Sequence, residues 1–90
     1  MQRVTATISD LNGNVLLKDI TAEIQIVRRG NFAEWGGGFL VPYEANIAIG
    51  GSYRLTTASG QSGEILVNRM NVGSHTGGRH IEFRGNGRFG

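Results

Sequence analysis

Arg28-Arg29-Gly30-Asn31-Phe32-Ala33-Glu34-Trp35-Gly36 is the stretch whose residue types best suit recognition chemistry. Arginine offers a planar, bidentate donor to carboxylates and phosphates, and Trp and Arg dominate binding hot spots. A base or other planar ligand stacked on Trp35 or Phe32 would have its phosphates within reach of Arg28 or Arg29. Trp35, the one tryptophan, has a competing role, which is to fold back and plug an open barrel end. A second group lies near the C-terminus. Arg79 shares parity with Ile81 and Phe83 and so belongs at the rim of an inward face, while His80, Glu82 and Arg84 point outward together. Glu82 between two positively chargeable neighbours partly neutralises that face. The candidate ligand- or partner-binding residues are therefore Arg28, Arg29, Phe32, Trp35, Arg79, His80 and Arg84.

Catalytic constellations are not evident. His75 and His80 fall in one hairpin, and Ser74 beside His75 is poorly placed for nucleophile–base geometry, because loop neighbours rarely face one another. The acids Asp10, Asp19, Glu23, Glu34, Glu44, Glu64 and Glu82 are scattered without paired spacing, whereas acid–base work needs titratable groups held together. Gly36-Gly37-Gly38 has neither the Walker nor the dinucleotide spacing and precedes no helix, so it reads as a tight turn beside Trp35 and not a phosphate cradle. Compared with PilZ domains, Val72-Gly73-Ser74-His75-Thr76-Gly77 carries valine where that family's motif has Asp or Asn, and the Arg28-Arg29 spacing differs. No family is assigned on it. The chain is expected to use no cofactor and no metal.

Ninety residues without cysteine allow one domain with one modest core and no disulfide or cysteine-based zinc site to supplement it. The net charge is +2, unevenly spread. Residues 1–68 balance at −1, whereas residues 69–90 carry Arg69, Arg79, Arg84 and Arg88 against Glu82 alone. No apolar run has the roughly 18–20 residues of a membrane helix, and the first residues alternate instead of forming a signal-peptide block. The expectation by elimination is a cytoplasmic protein with no membrane partner.

These side chains must be positioned by strands. Period-2 alternation recurs, and fifteen glycines and one proline punctuate it about every ten residues, the pattern of a small barrel or sandwich. Val4, Ala6 and Ile8 form one apolar face. The Asn12-Gly13 pair predicts a two-residue turn that sets Asp10 against Val15 and Ile8 against Leu17. Continued, that register would bring Asp19 onto the apolar face, so a β-bulge near Lys18-Asp19 is required to hand the inward row to Ile20, Ala22, Ile24 and Ile26. Residues 29–38 read as a break, and Phe39-Leu40-Val41 as a short strand ending at Pro42. Residues 43–51 form a connection containing Ile47 and Ile49, with a short strand of its own as the alternative there. Tyr53, Leu55 and Thr57 share a face of the next strand, and residues 59–63 are a tight hairpin loop. Residues 64–72 change parity, which predicts a second bulge near Asn68-Arg69. After a loop at residues 73–78, Ile81 and Phe83 face inward.

The fold expected is all-β, a small six-stranded, mostly antiparallel, partly closed barrel spanning residues 1–90, with a two-sheet sandwich as the alternative. The function expected is a non-catalytic module acting through surface binding, to itself as a homo-oligomer or to another protein. The alternative is a nucleotide or single-stranded nucleic-acid binder using the Arg28–Trp35 segment and the basic C-terminal hairpin.

Overall fold

The computed structural model describes residues 2–42, 45, 47–72 and 78–90, with the side chains of Phe32 and Val72 outside that set. The predicted features at Tyr43, Glu44, Ser74 and His75 lie outside the described residues. Six strands, β1 (Gln2–Ser9), β2 (Val15–Arg29), β3 (Phe32–Pro42), β4 (Ser52–Thr57), β5 (Ser62–Val72) and β6 (Gly78–Asn86), close into a barrel in the order β1-β2-β3-β6-β5-β4. Every pairing is antiparallel, and β1 completes the circle against β4. Closure is full, not partial, and no helix occurs among the described residues. A closed sheet satisfies its backbone strand to strand and leaves few edges to invite aggregation.

The alternation read from the sequence fills the interior. Ala6, Ile8, Ala22, Ile24, Phe39, Val41, Leu55, Ile65, Val67, Ile81 and Phe83 are all buried. The bulge at Lys18-Asp19 is present: Ala6 pairs with Ile20 but Ile8 with Leu17, and Asp19 takes a left-handed φ of 56°. The second bulge is present too, between Val67 (opposite Phe83) and Arg69 (opposite Glu82).

Four expectations are corrected. The first turn is not the two-residue Asn12-Gly13 turn, and Val15 pairs with Ser9, not Asp10. The Asp10 amide instead donates to the Asn14 carbonyl (2.9 Å), with Gly13 N donating to Asp10 O at 3.1 Å. The Asp10 carboxylate accepts from the Asn12 and Asn14 amides at 2.9 Å each and rewards this wider turn. The β4–β5 turn repeats the device, with Thr57 N donating to Gln61 O and Gly60 N to Thr57 O, so Ser62 and Gly63 belong to β5 and not to the loop. Third, residues 29–38 are not a break. β3 runs through the glycine triplet, and Arg28 to Gly36 is strand on both sides of a Gly30-Asn31 turn. A Cβ on Gly37 would fall inside the Glu23 carbonyl, and one on Gly36 would lie 2.8 Å from Phe83 O. Glycine here permits the neighbouring backbones to approach the strand closely and does not end it. Finally, Ile26 is 49% exposed and leaves the inward row after Ile24.

That last departure has a topological cause. β1 pairs with β2 only as far as Gln2–Ile24, and β6 with β3 only from Gly36–Arg84. Among the described residues, 26–29 and 32–35 therefore pair with each other alone and, with Gln25 and Gly36 at the base, project from one end of the barrel as a two-stranded arm. The long dimension of 40 Å against 26 and 23 Å accords with that projection.

Candidate functional site: the arm and the C-terminal segment

The two barrel ends are closed differently. At the end away from the arm, β3 and β4 lie on opposite sides of the barrel, and described residues of the chain between them sit at the opening. Ile47 from this connection is buried, and the Arg79 guanidinium holds it by donating to the carbonyls of Ala45 and Ile47. Arg79 also lies 3.4 Å from the Met70 sulfur, and its Nε is buried with no partner among the described residues. Arg79 thus sits half-buried at the rim of the inward face, as its parity predicts, but at the barrel end away from Arg28 and Arg29 and with its guanidinium engaged by the chain beside it. The segment carrying His75 lies outside the described residues.

At the arm end the plug is Trp35. Its side chain is 6% exposed, Nε1 donates to the Gly87 carbonyl at 2.9 Å, and its ring meets Phe83 edge-on at 6.0 Å and Phe89 at 4.7 Å. Gly85 and Gly63 make room: a Cβ on Gly85 would fall within the indole ring, and one on Gly63 would lie 2.6 Å from Cζ2. The chain turns at Gly87 (φ 85°), and Gly90 and Ser62 exchange backbone hydrogen bonds, which ties the tail beneath the arm. Of the two roles read for Trp35, its burial favours the plug, since the ring has no open face on which a base could stack.

Two clefts flank the base of the arm. The larger, about 570 Å³, lies between Gln25, Val27 and Glu34 of the arm and Arg84, Gly85 and Arg88. The smaller, about 370 Å³, is lined by Ile26, Arg28, Asn31 and Ala33 on the arm and by Arg88 and Phe89 of the tail. Arg88 and Trp35 border both.

Four arginines at this end lack ion-pair partners among the described residues. Arg3 pairs with Glu23 at 3.4 Å and Arg69 with Glu82 at 3.5 Å. The Glu82 carboxylate is thus drawn across to β5, and not to His80 or Arg84 beside it. Arg28, Arg29, Arg84 and Arg88 have no carboxylate within ion-pair distance among the described residues, and all four are exposed. Glu34 is the one acid lining either cleft.

The structure therefore brings Arg28, Arg29, Phe32, Trp35 and Arg84 to one end, with Phe32 placed by its backbone at the start of β3. It separates Arg79. His80 is exposed on the outer face of β6, against Gly38, with no carboxylate partner among the described residues. Sequence reasoning missed Gln25, Ile26, Val27, Arg88 and Phe89. The Arg88-Phe89 pair, an echo of the arginine–aromatic pattern of residues 28–35, was the signal available. Among the described residues no three His, Asp or Glu side chains gather as a metal site would require. No family model, no curated protein and no solved structure matches this chain, so its fold and site stand on their own geometry.

Proposed function

We propose that this chain is a non-catalytic binding module that works through the β2–β3 arm, and that the arm associates with a second copy of the chain. One observation carries the reading. Among the described residues the arm leaves the barrel with both strand edges unpaired, and it exposes Ile26 and Val27, 49% and 38%, on its opposite faces. A two-stranded hairpin on its own is marginal in water, and an open edge is a template for a further strand. Adding a strand covers both the edge and the aliphatic side chains. Arg28 and Arg29 sit at the tip and oppose like charges on an approaching copy, so association strengthens as salt screens them. The non-catalytic part of the reading is supported by His80, the one histidine among the described residues, which has no carboxylate within ion-pair distance among them.

Sedimentation velocity over a concentration series tests this. The expected result is a sedimentation coefficient that rises with protein concentration and with salt, a rise suppressed by Val27→Lys and Ile26→Lys. A monomer at millimolar concentration in high salt would overturn it.

A further inference from the structure

We infer that the base of the arm is a binding site for single-stranded nucleic acid, with the strand lying in the cleft between Arg28, Ile26, Arg88 and Phe89 and continuing past Arg88 towards Arg84. The inference rests on the arm being the working surface, but uses its faces and the tail beneath them instead of its edges.

Charge complementarity carries it. Four of the nine basic residues, Arg28, Arg29, Arg84 and Arg88, gather at this end and lack acidic partners among the described residues. Of the other five, Arg3 and Arg69 are matched by carboxylates, Arg79 donates to carbonyls at the opposite barrel end, and Lys18 and Arg54 stand singly without a carboxylate partner among the described residues. A folded domain gains nothing by crowding unmatched arginines, so the arrangement calls for an external anion with several charges in a row. The smaller cleft has no acid in its lining. Its walls are also apolar: Ile26 on the arm faces Phe89, which is half-buried with its ring against Trp35. Alternating guanidinium and flat apolar surface is what a phosphodiester chain with unpaired bases requires, phosphates to arginine and bases to the ring or aliphatic wall. An acidic peptide would use the charges and leave the apolar walls idle. The cleft volumes, about 370 and 570 Å³, lie within the range of small-ligand sites. They suit single nucleotide units more than the broad, rigid surface of a duplex.

The test is fluorescence anisotropy with a labelled ten-nucleotide oligothymidylate, alongside a DNA duplex and poly-L-glutamate of similar length. Three to four phosphate contacts give a log–log salt slope of roughly −2 to −3, or about 20- to 50-fold weaker binding between 50 and 200 mM salt. The double variant Arg28→Gln/Arg88→Gln should lower the slope by about 1.4, whereas Arg54→Gln on β4 should leave it unchanged. Glu34→Gln removes the one acid at the clefts and should tighten binding. Tighter binding of polyglutamate would reassign the site to an acidic protein, and tighter binding of the duplex would overturn the single-strand assignment. Absence of oligonucleotide binding at low salt would overturn the inference while leaving arm-mediated self-association, which salt strengthens, to stand or fall by sedimentation.

Discussion

Gly85→Ala is a small change with a large expected effect, because it asks a methyl group to share space with the Trp35 ring. The added Cβ would fall within the indole, and the ring cannot slide away easily. Gly63 lies against the Cζ2 end of the ring, Phe83 and Phe89 hold its edge and face, and Nε1 is anchored on Gly87 O at 2.9 Å. Overpacking of this kind costs about 1–3 kcal/mol. Tilting the ring also weakens one hydrogen bond, about 1 kcal/mol, and the aromatic contacts, about 0.5–1.5 kcal/mol. A loss of about 3 kcal/mol is expected, and at ~4–8 °C per kcal/mol for a domain this small the melting temperature should fall by roughly 12–24 °C. Thermal unfolding followed by circular dichroism measures the fall, and the emission of the single tryptophan should move to longer wavelength as the ring is pushed toward water. In a Trp35→Leu background the same alanine should cost far less, giving a coupling energy above about 1 kcal/mol. A Gly85→Ala protein within about 0.5 kcal/mol of wild type, with unshifted emission, would refute the plug. Trp35 would then be free to stack on ligand.

Three further expectations concern the parts that hold the arm's barrel in shape. Asp19→Gly should stabilise the protein by about 1 kcal/mol in urea unfolding, since the bulge holds an L-residue at φ 56°, whereas Asp19→Val should destabilise it. The Asp10 carboxyl is held below its ordinary value of 3.8, first by the Asn14 side-chain amide and then by the Asn14 backbone amide. Its contribution is therefore present above the unfolded-state pKa and disappears as pH falls through the folded-state value. Asp10→Ala should lower the urea midpoint near neutrality and show less of the acid-induced loss than wild type. Arg79→Met strips the Ala45 and Ile47 carbonyls of their donor and should cost about 2–3 kcal/mol, while Arg54→Met, fully on the surface, should stay within about 0.5 kcal/mol.

The barrel was legible because alternation is a local signal, and the bulges were legible because neither a carboxylate nor a break in apolar parity can be carried along a regular buried face. Asp19 and the parity change between Val67 and Met70 each announced a slip that the register then shows. The arm was not legible, for a reason of the same kind. Glycine weakens a strand in isolation, so Gly36-Gly37-Gly38 reads as a turn; only the approach of the Glu23 and Phe83 carbonyls from the two neighbouring strands reveals why those positions must be bare. Pairing partners far apart in sequence decide that, and they also decide that β2 outruns β1. The same distance hid the site. Trp35 meets Gly63, Gly85, Gly87 and Phe89, which no spacing rule connects to it, and Arg79 shares strand parity with core residues but finds its partners in the carbonyls of Ala45 and Ile47, more than thirty residues earlier in the chain.

The claim that binding is done by the arm and the tail beneath it is tested most directly by titrating nitrogen-15-labelled protein with unlabelled oligothymidylate and following amide chemical shifts. The shifts that move should belong to residues 25–35 and 84–89, with the turn at residues 10–14 and the middle of β4 unaffected. Changes gathered at the opposite end, around residues 10–14 and Ile47, or no change at any amide, would contradict it.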